Sequence, residues 1–139
     1  MARARFLVDT SVLARMPKPA VAAAFAALAA TGEVVLCSPV VFELGFAARS
    51  PSDYRALTER LSAFAVVPTT EADHRRALDV QARLAEQSRH RALSLVDALV
   101  AAVAEARDLS VLHYDADFEL VAALTGQAHR WIVERGTAD

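Results

Sequence analysis

Five acidic residues stand in stretches of the sequence that are otherwise apolar. Asp9 ends the run RFLVD, Glu43 lies in VVFELGFAAR, and Asp97 lies in SLVDALVAAVAEA. Asp115 and Asp117 follow the run SVLH, within HYDADFEL. Ionised carboxylates are rarely buried unless they are paired or bind a metal. These positions are therefore the first candidates for chemistry.

Each of these acids also has an ordinary structural explanation when it is taken alone. The spacing around Asp97 matches a capping box, in which the acid serves the first turn of a helix. Asp115 could cap a helix whose dipole favours Asp117, and Glu43 could lie on a helix surface. Asp9 is harder to explain in this way, because aspartate is depleted in β-strands. One shared cause is a simpler explanation than a separate one for every acid.

The composition indicates a folded globular chain of one domain, residues 1–139. Of the 139 residues, 55% are hydrophobic and 23% are charged, and the formal net charge is −2. This charge excludes a nucleic-acid binder with a general basic field, so any polyanion site is local or built on metal ions. Cys37 is the only cysteine, which excludes a disulfide framework and favours the cytoplasm. Neither the N-terminal segment nor the alanine-rich stretch 20–30 has the length of a signal peptide or a membrane span.

Short β-like runs alternate with longer helical runs along the chain. The predicted strands are residues 5–9, 34–37, 64–68, 110–113 and 129–133. The first predicted helix is alanine-rich, opened by Pro17 and Pro19 and ended by Gly32. The other predicted helices are residues 39–49, 51–63, 71–86, 94–108 and 115–126. Ser38, Ser50, Thr70 and Ser94 are the predicted N-caps. This alternation predicts an α/β fold with a central parallel sheet of about five strands, covered by helices on both faces.

Such a sheet predicts where the acids meet, because ligands bind beyond the carboxyl ends of parallel strands. Asp9 and Asp115 come at the ends of predicted strands and therefore lie at that edge. Glu43 lies about one turn into a helix that leaves the edge. Asp97 lies in the first turn of a helix whose N-terminus returns to it. We expect these four carboxylates to share one crevice, with Asp117 close by.

Carboxylates crowded into one dry site repel each other, so the crevice needs a positive charge. Lys18, the only lysine, falls in a predicted loop. Mg²⁺ or Mn²⁺ fits better, because both prefer oxygen ligands and can activate water for phosphodiester hydrolysis. Zinc is disfavoured, because the histidines lack ligand spacing with one another and with Cys37. They are His74, His90, His113 and His129.

Four motifs in this order resemble those of PIN-domain nucleases, and most of all the VapC-type toxins of bacterial toxin–antitoxin pairs. They are LVDTSVL at 7–13, VVFELGFAAR at 40–49, SLVDALVAAVAEA at 94–106 and VLHYDADFELVA at 111–122. The resemblance covers essentially the whole chain and implies a PIN-like three-layer α/β/α fold. It also implies an acidic set that binds metal and carries catalysis: Asp9, Glu43, Asp97 and Asp115. Asp117 is a further candidate ligand, and Ser11 a candidate for positioning the metal or its water.

The resemblance implies a Mg²⁺- or Mn²⁺-dependent RNA endonuclease that forms homodimers. It also implies inhibition by a VapB-like antitoxin, in a heterotetramer or larger assembly, and no membrane partner. The basic loop at Arg89 and Arg91 is the candidate contact for RNA phosphates. His113 departs from the family, which often has Thr or Ser two residues before the fourth acid. Two alternatives stay open: an RNA-processing PIN nuclease without antitoxin, and a non-catalytic PIN-like binding module.

Overall fold

A computed structural model describes residues 3–139 of the chain. The elements follow in this order: β1 Phe6–Val8, α1 Thr10–Leu13, α2 Pro19–Ala30, β2 Val34–Cys37, α3 Ser38–Phe46, α4 Pro51–Leu61, β3 Val66–Val67, α5 Glu71–Glu86, α6 Leu95–Ala106, β4 Ser110–His113, α7 Asp117–Thr125 and β5 His129–Trp131. No helix in the described part of the chain is long and apolar enough to cross a membrane.

The five strands form one sheet in the order β3-β2-β1-β4-β5, and every pairing is parallel. The chain moves outward from β1 through β2 and β3, then returns to place β4 on the other side of β1. Leu7 pairs with Val111 and Val8 with Leu112. The switch point between β1 and β4 is where folds of this kind bind ligands. The predicted α/β fold with five parallel strands is confirmed.

Alternate residues of the central strands pack into two cores, one on each face of the sheet. Leu7 lies in one core with Leu84 of α5 and Val100 of α6. Phe6 lies in the other core, with Phe25 of α2. The period of two along a strand is what divides side chains between the faces of a sheet. Helices therefore cover both faces, which gives the three layers that the motifs predicted.

Helix α6 is buried almost completely, as its composition predicts. Every residue from Ala98 to Ala104 is buried. The helix contacts α5, α3, α7 and the strands β1 and β4, so little of its surface remains for water. Asp97 is in its first turn, at the end of the helix that lies beside the switch point. The apolar helix is thus a core element that carries one acid at its end.

Several element boundaries differ from the prediction for local reasons. Strand β1 stops at Val8 because Asp9 caps the short helix α1, which the sequence did not predict. Helix α3 already begins at Ser38, whose hydroxyl contacts the carbonyl of Val67 at 3.5 Å instead of capping the helix. The edge strands β3 and β5 are shorter than predicted, since each pairs with a single neighbour. In contrast, β2, β4 and α5 have the predicted bounds.

Candidate metal centre

Three of the predicted acids converge at the switch point of the sheet. Asp9, Asp97 and Asp115 each offer a carboxylate oxygen, and these three atoms lie within 4.8 Å of one another. Asp9 follows β1, Asp115 lies just beyond β4, and Asp97 comes from the first turn of α6. Residues that are far apart in sequence therefore meet because parallel strands end at the same edge.

Asp9 is the most deeply buried of the three, with 2% of its surface exposed. Its Oδ2 accepts a hydrogen bond from the Ser11 backbone N–H at 3.0 Å. Its Oδ1 is buried and has no hydrogen-bond partner among residues 3–139. Burial raises the pKa of Asp9, and the charges of Asp115 and Glu43 add to this, while hydrogen bonds from Ser11 oppose it. Buried polar atoms are rarely left without a hydrogen-bond partner, so this oxygen is a candidate ligand for a bound ion.

The Asp97 carboxylate does not complete a capping box with Ser94. Its backbone N–H donates to Ser94 Oγ at 3.1 Å, which makes Ser94 the predicted N-cap. In α5, Thr70 and Asp73 form both hydrogen bonds of a capping box. In α6, the described residues form only the bond to the Ser94 side chain, and the Asp97 carboxylate does not bond back to the Ser94 backbone N–H. Burial raises the pKa of Asp97 to about 8, and the charges of Asp9 and Asp115 contribute. The carboxylate is therefore part of the acidic cluster.

Asp115 and Asp117 occupy different places in the turn after β4. Asp115 Oδ1 accepts from the Asp117 backbone N–H at 2.9 Å. Helix α7 begins at Asp117, so the predicted start at Asp115 is two residues early, and Ala116 is its N-cap. Burial raises the pKa of Asp117, and the charge of Asp115 adds to it. Asp117 thus neighbours the cluster without belonging to the set of three.

Glu43 lies at the rim of the centre instead of inside it. It is half-buried on α3, and its charge raises the pKa of Asp9. Its oxygens are not in the group of three that lie within 4.8 Å. The structure therefore brings together three of the four predicted ligands and holds the fourth nearby.

Ser11 links the two turns that carry Asp9 and Asp115. Its backbone N–H donates to Asp9, and its Oγ accepts from the Tyr114 backbone N–H at 2.8 Å. The hydroxyl hydrogen remains available to another acceptor, since a hydroxyl both donates and accepts. Ser11 was predicted to position a metal or its water, and the observed contacts give it a position from which to do so.

Tyr114 and Arg15 tie the last residues of the chain to the same turns, which the sequence did not predict. Tyr114 Oη accepts from the backbone N–H groups of Gly136 and Ala138 and donates to Asp139 Oδ1, each at 2.8 to 2.9 Å. The Arg15 guanidinium donates to the carbonyl oxygens of Ser11 and Ala138. The contacts with Gly136, Ala138 and Asp139 have no local sequence signal, because the tertiary fold brings together residues that are more than 20 positions apart.

Arg89 and Arg91 lie exposed in the loop between α5 and α6. Neither side chain forms an ion pair or a hydrogen bond within the described residues. No contact joins them to the three acids. Both guanidinium groups are thus accessible, and their contact with RNA phosphates stays a prediction.

The donor set of the cluster fits a hard divalent cation. All three groups are carboxylates, and none of the ion pairs formed within residues 3–139 includes Asp9, Asp97 or Asp115. Mg²⁺ and Mn²⁺ prefer oxygen ligands, whereas zinc sites usually include nitrogen or sulfur. An ion would also provide the missing partner of Asp9 Oδ1.

The fold and the position of this acidic cluster agree with the family comparison. The family model of the PIN domain matches residues 6–124. The chain therefore belongs to the PIN-domain family.

Within the PIN-domain family, the chain is clearly similar to proteins named VapC. The chain is 44% identical to Ribonuclease VapC51 of Mycobacterium tuberculosis (strain ATCC 25618 / H37Rv), over 97% of this chain and 98% of that protein. It is 37% identical to Ribonuclease VapC18 of the same strain, over 95% and 98% of the two chains. Among solved structures, DNA-bound VapBC from Salmonella typhimurium has a TM-score of 0.77 at 17% identity, over 94% of this chain and 99% of that chain. That likeness concerns the fold alone.

Proposed function

We propose that this chain is a VapC-type RNA endonuclease that depends on Mg²⁺ or Mn²⁺ and acts in the cytoplasm. The observation that carries this proposal is the unpaired cluster of Asp9, Asp97 and Asp115 at the switch point of a PIN-domain fold. RNA as the substrate is supported by relatives that are named ribonucleases and match nearly the whole chain.

In this proposal Asp9, Asp97 and Asp115 hold the cation, with Glu43 and Asp117 at its rim. The chemistry that such an ion supplies is activation of water and stabilisation of the negative charge that develops on the phosphodiester. The Ser11 N–H binds Oδ2 of Asp9, which leaves the unpartnered Oδ1 free to bind the ion. Glu43 would be available to accept a proton from the attacking water, because its charge acts on Asp9 but it is not one of the three clustered ligands.

The proposed activity is tested by incubating the purified chain with total RNA and mapping the new ends. We expect cleavage in millimolar Mg²⁺ or Mn²⁺ and none in EDTA. Asp108→Asn is a matched control, because Asp108 is exposed beyond the far end of α6 and its φ of 54° suits asparagine. Cleavage that persists in EDTA, or intact RNA under every metal condition, would contradict the proposal.

We also propose a VapB-like antitoxin as the partner of the chain, in a heterotetramer or larger assembly built on a homodimer. A groove of about 450 Å³ is lined by Phe42, Phe46, Tyr54 and Val66, among others. Phe42 is 79% exposed and Phe46 is 86% exposed, as is typical of protein interaction sites. The chain is similar in structure to VapBC-5 from Mycobacterium tuberculosis, a member of the VapBC family of toxin–antitoxin systems. The TM-score is 0.60 at 25% identity, over 96% of this chain and 100% of that chain.

Phe42 and Phe46 are on the same helix, α3, as Glu43, so a segment bound in the groove that continues around this helix would be able to place an arginine against the acids. We expect the product of a short adjacent reading frame to co-purify with the chain and to block RNA cleavage. Phe46→Ser should weaken this capture, whereas Leu78→Ser, a control at an exposed leucine on α5, should not. An RNA-cleaving chain without such a partner would instead favour an RNA-processing PIN nuclease.

A further inference from the structure

His113 is fully buried next to the candidate metal centre, and its ring has hydrogen bonds at both nitrogens and aromatic neighbours. Its Nδ1 accepts a hydrogen bond from the Asp115 backbone N–H at 3.0 Å. Its Nε2 lies 2.8 Å from His129 Nδ1. The ring packs against Phe118 and Trp131, with centroids 5.0 Å and 4.9 Å away. Both the position and the orientation of the imidazole are therefore fixed.

These contacts determine which ring nitrogen of each histidine carries a proton. A backbone N–H can only donate, so His113 Nδ1 is an unprotonated acceptor and the ring proton is on Nε2. His113 Nε2 then donates to His129 Nδ1, which leaves the proton of His129 on its own Nε2. A directed chain of hydrogen bonds thus runs from the Asp115 backbone through His113 to His129.

We propose that His113 is a positioning residue that orients the Asp115 carboxylate for metal binding, and that His129 holds His113 in place. His113 fixes the backbone at the start of the turn in which Asp115 Oδ1 accepts from the Asp117 N–H. The ligand then needs less ordering when the ion binds, as contacts behind metal ligands generally provide. This inference rests on the proposed metal-dependent function.

Calorimetric titration of the metal-free chain with Mn²⁺ tests the inference without any RNA. His113→Leu keeps an apolar side chain of similar size but removes the acceptor, and we expect the Mn²⁺ affinity to fall about 10-fold or more. His113→Asn places Oδ1 near the position of Nδ1, and we expect it to recover most of the affinity. His129→Phe keeps a ring but leaves His113 Nε2–H without its acceptor, so an intermediate loss is expected. Val121→Ala removes buried packing from α7 without removing a hydrogen bond and should leave the affinity unchanged.

A second measurement examines wild type directly and needs no variant to fold. The ¹⁵N chemical shifts of the imidazole nitrogens should identify His113 as the Nε2–H form in the metal-free chain. A proton on His113 Nδ1, or equal Mn²⁺ affinities for wild type and His113→Leu, would overturn this inference alone. Equal losses in His113→Leu and Val121→Ala would also overturn it, since a general loss of packing would then explain both. If wild type binds no Mn²⁺, the proposed function fails together with this inference.

Discussion

Replacing Asp97 with asparagine should lower metal-dependent RNA cleavage by orders of magnitude and leave the metal-free fold intact. Asparagine is close to the protonated acid in shape, and the pKa of about 8 means that Asp97 is mostly protonated at neutral pH without metal. The helix cap survives as well, because Ser94 Oγ accepts from the backbone N–H of residue 97. Cleavage falls because asparagine is a weaker ligand for a hard cation than a carboxylate.

The measurement is a thermal melt in EDTA beside a cleavage assay in Mn²⁺, for wild type, Asp97→Asn and the control Asp108→Asn. We expect equal melting temperatures for wild type and Asp97→Asn near pH 4. Near pH 7 the melting temperature of Asp97→Asn should be higher, because the unfolded wild-type chain has lost the Asp97 proton that its folded state takes up again. If Asp97 served only the helix cap, cleavage by Asp97→Asn would equal that of wild type. That result would remove Asp97 from the metal centre.

The metal-free fold should lose stability as the pH rises from about 4 to 8. Folding raises the pKa of Asp97 to about 8, and its unfolded value is near 3.9, so the folded state binds the proton more tightly in this window. Asp9 has a raised pKa and acts in the same direction. The full slope for one group is about 1.4 kcal/mol per pH unit, but solvent screens the half-buried Asp97, so we expect a total loss of about 2 kcal/mol.

Saturating Mn²⁺ should remove this loss, because the bound ion keeps the carboxylates deprotonated and its binding releases protons. Thermal melts at pH 5, 6.5 and 8, with and without Mn²⁺, provide the measurement. Asp73 affects the pH dependence of stability in the opposite direction. Burial raises its pKa, but hydrogen bonds from Arg107 and Thr70 outweigh burial, so that its pKa is lowered. Its contribution to stability is therefore lost only as the pH falls below about 4, outside this window. Metal-free stability that stays constant or increases from pH 5 to 8 would contradict the raised pKa values.

The sequence is sufficient to predict the sheet and the edge at which the acids meet. Strong periodic signals and caps gave the bounds of β2, β4 and α5. Asp9 and Asp115 could be located because each comes directly at the end of a strand. Helix α1 could not be predicted, since its four residues carry no amphipathic pattern and its cap is Asp9 itself.

Finer features of the centre depend on distances that periodicity does not encode. Glu43 was correctly assigned to the carboxyl edge, but a helical side chain one turn from a strand reaches only the rim. Tyr114 packs in the core on one face of the sheet, and its hydroxyl also accepts hydrogen bonds from backbone groups more than 20 residues away. The departure at His113 put a hydroxyl contact in doubt, and the structure has a ring nitrogen as the acceptor there. The position of Glu43 and the contacts of Tyr114 require the tertiary fold, whereas the His113 contact spans two residues and depends on the turn after β4.

Anomalous diffraction from crystals grown with millimolar Mn²⁺ is the most direct test of the metal centre. We expect a manganese peak between Asp9, Asp97 and Asp115, with one oxygen of each about 2.1 Å from the ion. The previously unpartnered Oδ1 of Asp9 should be among these ligands. A map with no manganese at this site, or with manganese only on other acids of the chain, would show that Asp9, Asp97 and Asp115 do not form a metal centre.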